Sequence, residues 1–356
     1  MQAPPEREKG LADNPLVTVL AMLTVSPAAS AKVNALQPGA LERRIVNDEL
    51  GDIAAIGVDQ GGETVYLRRF DGELAGHPID IRSAGKSLTA LAVGIAIDEG
   101  ALALDTPVWP LLGSDPADPR NGITVHDLLT MSSPLTCDDW DRRSPGQEER
   151  MYRKRNWRAF AMALPLDEAF ARDTAGQGRF SYCTAGVFLL EQAVEEAVGE
   201  RFDLFMQTRV FDPLDIAGAG WRRSRSGEVQ SGGQISMRAE DLLRIGRMVL
   251  DGGVFEERRV VSASWIKTML TPHRQLGEHV HYGYLWWHDL VKAPEGYAGS
   301  WMMKGNGGNI VALYRERDAV IVVQAENYNR EGADRNAFEA MWAILPGLPP
   351  PPVAIQ

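Results

Sequence analysis

Cysteine is nearly absent from this chain: Cys137 and Cys183 are the only two among 356 residues. A disulfide-rich scaffold is excluded, and a thiolate zinc centre would need its remaining ligands from elsewhere. The pair can form one bridge or stay as two buried thiols. Histidine is scarce as well, with six residues. His279, His281 and His288 lie close together, but their spacing fits a strand and loop, and no clustered carboxylate completes a ligand set. No metal is expected. Positive charge is in deficit, 37 Lys and Arg against 48 Asp and Glu. The net charge of -11 argues against a nucleic-acid partner, whose phosphates are held by Lys and Arg. One basic cluster, Arg150 to Arg158 with Arg153, Lys154 and Arg155, reads either as a solvated face or as the rim of a pocket for an anionic substrate. There is no Gly-x-Ser-x-Gly, so a nucleophile elbow is unsupported. Gly305-Asn306-Gly307-Gly308 lacks the third glycine and following helix of a dinucleotide site. No cofactor is expected.

Long apolar runs are missing too. Leu16 to Val25 is too short to span a bilayer, which takes about 20 residues, so stable membrane insertion is not expected. The run has the length of a signal-peptide core, and Ala29-Ser30-Ala31 resembles a cleavage site. The positive segment that should precede it is absent. Residues 1–37 are therefore expected to be an export leader or a disordered one. The protein is then periplasmic or secreted if the leader is cleaved, and cytoplasmic otherwise.

What is present is a substantial core composition, 44% hydrophobic with 24% charged. Pro38 to Leu50 reads as a helix, and Ile53 to Val58 with Thr64 to Phe70 as a hairpin across Asp59-Gln60-Gly61-Gly62. A helix follows Ser83 and ends at Glu99-Gly100. Residues 101–250 carry mostly helical signals. Tyr282–His288, Gly299–Met303, Asn309–Tyr314 and Ala319–Gln324 read as successive strands, with a closing helix over Ala333–Ile344. The expected fold is α+β: one antiparallel sheet built from both chain ends and flanked by helices, with an inserted, mostly helical lobe. One domain is expected over 38–345, before a proline-rich tail at 346–356. The site belongs at the seam between sheet and lobe.

Ser83-Ala84-Gly85-Lys86 stands out at the start of the apolar segment Leu88 to Ala96. A serine and a lysine three apart share one helix face, where a neutral amine can take the hydroxyl proton. The plain alternative is a helix start with Ser83 as cap and Lys86 solvated. Ser264-Trp265-Ile266-Lys267 repeats the spacing and reads as an ordinary surface helix capped by Ser262 or Ser264. Company separates the two. Phe180-Ser181-Tyr182-Cys183-Thr184 leads into a helix, and Met303-Lys304-Gly305-Asn306-Gly307-Gly308 sits between two strands. There the glycines permit close approach of a substrate backbone and leave amides free.

Serine-x-x-lysine, then tyrosine, then a glycine-rich strand resembles the penicillin-recognising serine hydrolases: class C β-lactamases, D-alanyl-D-alanine carboxypeptidases, related esterases and 6-aminohexanoate-dimer hydrolase. The likeness covers roughly residues 40–345. It extends to Val125-His126-Asp127-Leu128-Leu129-Thr130-Met131-Ser132-Ser133, and Phe180-x-Tyr182-Cys183 looks most like the 6-aminohexanoate-dimer hydrolase branch. The resemblance implies a β-lactamase/transpeptidase-like fold and an acyl-enzyme on Ser83, with Lys86 and Tyr182 moving the proton. The amides of Ser83 and Asn306 would form the oxyanion hole, and Gly305, Lys304 and Thr184 would line the substrate site. Three positions depart from the family pattern. Tyr182-Cys183-Thr184 replaces Tyr-x-Asn, an apolar Met303 opens the third motif, and Pro134 replaces a glycine. The expectation is a small-molecule ester or amide hydrolase with a weakened hold on β-lactams. A β-lactamase or carboxypeptidase, or a catalytically silent cell-wall-peptide binder, are the alternatives. Oligomeric state is left open.

Overall fold

The computed structural model describes residues 36, 38–72, 76–293 and 296–349. Nearly all of the leader and most of the proline-rich tail fall outside these described residues. An eight-stranded antiparallel sheet organises the chain. Its strands, in chain order, are β1 (Ile53–Gln60), β2 (Glu63–Arg69), β3 (Arg274–Gln275), β4 (Val280–Tyr282), β5 (Trp287–Ala293), β6 (Gly296–Gly305), β7 (Asn309–Tyr314) and β8 (Ala319–Ala325). Their spatial order is β2-β1-β8-β7-β6-β5-β4-β3. The hairpin near the start therefore joins the late meander through β1 and β8, with Val58 opposite Ile321.

Both faces of this sheet are covered, so its central strands lack a polar side. Ile310, Ala312, Ile321 and Val323 point to one face with α1 (Gly39–Val46) and the closing α8 (Ala333–Ile344). Val311, Leu313, Val320 and Val322 point to the other. The period-2 alternation places two apolar sets on opposite sides of the same strands.

The second face meets α2 (Lys86–Asp98), whose residues are buried from Lys86 to Ala96. Beyond it lie the short helix α3 (Val125–Leu129), α4 (Glu148–Tyr152) and the long α5 (Thr184–Val198). Thr124 caps α3 by accepting from Asp127 N, with the reciprocal bond in place. α6 (Ala239–Leu250) falls inside the stretch expected to be lobe, but its stripe of Leu242, Leu243 and Ile245 faces the sheet core beside Val320 and Val322. Ile235–Met237 likewise pairs with Ile79–Asp80 in a small second sheet. α7 (Ala263–Met269) is capped by Ser262, which accepts from Trp265 N.

The expectation of one strand over Tyr282–His288 needs correction. Gly283 N donates to Trp286 O at 2.9 Å, and Leu285 takes a positive φ of 58°. The chain turns there, separating β4 from β5. Trp286 is fully buried in that turn, while Trp287 begins the next strand.

Candidate active site

Ser83 sits in the 3-10 turn Arg82–Gly85 that feeds α2. The residue before it is strained: Arg82 has φ 52°, a left-handed conformation costly for a side chain of this size. Its surroundings hold it there. Asp80 accepts from Arg82 N at 2.9 Å and pairs with its guanidinium at 3.3 Å. The same guanidinium lies 4.2 Å above the Tyr328 ring, whose hydroxyl donates to Asp80 O at 2.7 Å.

Two glycines let neighbouring chains press against this turn. A Cβ on Gly305 would lie 2.0 Å from Ile81 O and 2.9 Å from Ala84 N. A Cβ on Gly233, at φ 142°, would lie 2.9 Å from Arg82 O. The end of β6 and the Gly232-Gly233 segment thus flank the Ser83 turn closely.

Lys86 opens α2 with only 1% of its surface exposed. Its Nζ donates to Gly232 O at 2.5 Å and to Ser83 Oγ at 3.0 Å. It also stands 4.9 Å from the centre of the Tyr182 ring. Tyr182 and Ser83 line the same cavity. Burial pushes the Tyr182 phenol above its ordinary value, opposed chiefly by the nearby Lys86. The phenol is therefore neutral near pH 7 and available as a proton donor.

Tyr182 is held by the segment 137–140. Cys137 and Cys183 form a disulfide, Cα to Cα 5.4 Å, which closes the alternative left open by the sequence. Asp139 N donates to Tyr182 O at 2.8 Å, and Ser181 Oγ donates to Cys137 O at 2.7 Å. Asp139 Oδ2 accepts from Thr184 N at 2.7 Å and Oδ1 from Glu148 N at 2.9 Å. One carboxylate thus satisfies amides at the starts of two helices. Trp140 then covers Tyr182 with parallel ring planes.

These groups open on a cavity of 890 Å³. Of the residues picked from sequence, Ser83, Tyr182, Lys304, Gly305 and Asn306 line it, and Lys86 lies behind Ser83. Asn306 is fixed by accepting from Asn329 N at 2.8 Å. Lys304 is engaged: its ammonium is 3.7 Å from Asp334 and lies over the rings of Trp287 and Phe338. Met303 is fully buried.

Thr184 is not brought to the cavity. It is fully buried beneath the wall, with its hydroxyl donating to Glu148 Oε2 at 3.2 Å. The second Ser-x-x-Lys stays on the surface, with Ser264 and Lys267 exposed. The basic cluster divides: Arg150 and Arg153 line the cavity together with Arg142.

Sequence reasoning missed Asp139, Glu148 and Trp140, which line the same cavity. It also missed the Gly232 carbonyl as the partner of Lys86. The one available pointer was Cys137, since a bridge to Cys183 carries Asp139 and Trp140 to Tyr182. Burial pushes Asp139 up to about 6, with the Glu148 charge adding to the shift and Lys86 and Thr184 opposing it.

The sequence profile of the beta-lactamase family matches residues 49–345. A curated relative, the 6-aminohexanoate-dimer hydrolase of Paenarthrobacter ureafaciens, is 31% identical over 196 residues, 53% of this chain. The match spans half of that relative's length, 50%. Among solved structures, a penicillin binding protein from Bacillus halodurans superposes with a TM-score of 0.63 at 20% identity, covering 84% of this chain and 98% of the other. A D-stereospecific amidohydrolase from Streptomyces sp. gives a TM-score of 0.60 at 20% identity, covering 88% and 98%.

Proposed function

The chain belongs to the beta-lactamase family, and from that membership we propose that it is a serine hydrolase, cleaving a carboxylic ester or amide of a small substrate through an acyl-enzyme on Ser83. The observation that carries this reading is the 3.0 Å contact between Lys86 Nζ and Ser83 Oγ beside Tyr182. Ser83 Oγ attacks the carbonyl carbon as the Lys86 amine, acting in its neutral form, takes the hydroxyl proton and later returns it to Tyr182. The neutral phenol supplies a proton to the departing alkoxide or amine. Water repeats the sequence in reverse on the acyl-enzyme. The Ser83 and Asn306 amides serve as the oxyanion hole, where one donor is worth about 3 kcal/mol in the transition state. The steps use neither metal nor cofactor.

Simple esters and linear aliphatic amides fit this reading better than β-lactams. Thr184 holds the place of the family's amide-contacting asparagine and is turned into the wall. Export is part of the proposal, since a bridged Cys137–Cys183 pair suits an oxidising compartment.

A fluorophosphonate probe tests the core of the reading. It labels Ser83, located by mass spectrometry, and a p-nitrophenyl ester is turned over faster than a cephalosporin. Labelling that persists in Ser83→Ala, or none on folded protein, removes the proposal.

A further inference from the structure

Deepening the serine-hydrolase reading and resting on it, we propose that the substrate carries a carboxylate, received by Arg142, Arg150 and Arg153 at the mouth of the Ser83 cavity. All three line that cavity and are exposed. None makes an ion pair among the described residues, although the chain carries 48 acidic groups against 37 basic ones. Several other arginines do find partners, as Arg44 does with Glu339 at 2.7 Å and Arg172 with Asp127 at 2.8 Å. Three like charges converging on one cavity repel each other until an anion joins them.

Two further features give this rim a direction. Arg150 and Arg153 are one turn apart at the end of α4, and Arg150 Nη2 donates to Arg142 O at 3.3 Å. That bond ties the α4 guanidinium to the loop that carries Arg142. On the opposite wall, the charge of Lys304 is already met by Asp334. Deeper in, Asp139 and Glu148 present carboxylates beside Tyr182 and Lys86. Glu149 shares the rim, leaving three positive charges to one negative there. A substrate carboxylate is thus repelled from the floor and drawn to the mouth while its carbonyl rests on Ser83. Guanidinium forks suit a carboxylate, accepting it through two parallel hydrogen bonds.

The test uses two ester pairs, each differing only in a carboxylate: p-nitrophenyl hexanoate against mono-p-nitrophenyl adipate, and the acetates of 4-nitrophenol and 3-carboxy-4-nitrophenol. The first pair places the charge on the acyl end and the second on the leaving group. We expect kcat/KM to favour the anionic member of at least one pair by about fivefold or more, chiefly through KM, which corresponds to roughly 1 kcal/mol. That ratio falls toward one in Arg150→Gln/Arg153→Gln, survives in Arg150→Lys/Arg153→Lys, and shrinks as salt rises to about 0.5 M. Arg143→Gln, beside Asp141 and outside the cavity, leaves the ratio unchanged. Equal turnover within both pairs, or a preference untouched in the glutamine variant, overturns the subsite. If esters are still cleaved in a Ser83-dependent way, that result leaves the hydrolase reading standing. Absence of any turnover and of any probe labelling removes the hydrolase reading, and the subsite with it.

Discussion

Trp140 lies flat on Tyr182, ring planes at 0° and centroids 5.3 Å apart, although 66% of the tryptophan is exposed. An exposed aromatic is here the cover of a buried phenol. Trp140→Ala should lower kcat by roughly three- to tenfold, since such a stack is worth about 0.5–1.5 kcal/mol. Water reaching Tyr182 relieves the burial that raises its pKa, so the alkaline limb of the kcat profile moves to lower pH. Trp140→Phe should keep most of both. A Trp140→Ala profile that superimposes on wild type would contradict this account.

The disulfide closes a separation of 46 residues, and cross-links of that size stabilise by about 2–4 kcal/mol. Cys183 also caps α5, its Sγ accepting from Gly186 N at 3.2 Å. Serine is a good cap, so Cys137→Ser/Cys183→Ser removes the link and spares the cap. Urea unfolding should show the loss of stability, and kcat should fall more than KM changes because Tyr182 is less firmly held. Reduction of the wild type should reproduce both effects. Unaltered kcat in the double variant would mean that the remaining hydrogen bonds suffice to hold Tyr182.

Asp139 makes a distinct pH signature. Its pKa is raised on folding, from 3.8 to about 6, so between those values the folded chain holds a proton that the unfolded chain has released. Its contribution to stability is therefore greatest in acid and is lost as pH rises through 6. In Asp139→Asn that slope disappears. Unfolding free energies measured from about pH 4 to 7 should diverge between the two proteins across this window. Parallel curves would count against the assignment.

Gly305→Ala places a methyl group against Ile81 O and Ala84 N, at 2.0 and 2.9 Å before relaxation. Both contacts are backbone, so the end of β6 must move off the Ser83 turn. A loss of kcat/KM of about 100-fold or more is expected, comparable to removing one oxyanion donor, with the circular dichroism spectrum retained. Near-normal turnover would show that the strand end can shift without disturbing Ser83.

Much of the sheet was legible because its strands carry short-range signals. Asn309–Tyr314 and Ala333–Ile344 were read to the residue. Leu285, with its positive φ, was not, because leucine gives no warning of a left-handed turn. The Ser83, Lys86 and Tyr182 convergence was legible through motif order. The Asp139 wall was not, since an Asp-Asp-Trp stretch looks like any loop until a distant cysteine fixes its place. α6 shows the same limit: its amphipathic stripe was plain, but the stripe does not name the surface it covers.

Pairing of β1 with β8 has a consequence for biosynthesis. Val58 leaves the ribosome hundreds of residues ahead of Ile321, the residue it must lie against. Until then β1 has β2 on one side and an open edge on the other, a template for unwanted association. Contacts of such high sequence separation slow folding. Ser83, Lys86 and Tyr182 are all made well before Gly305 and Asn306, so a nascent chain carries the proposed nucleophile, Ser83, without the strand that frames it. On the proposed reading, the site is complete only after β6 and the strands that pair with it have been made.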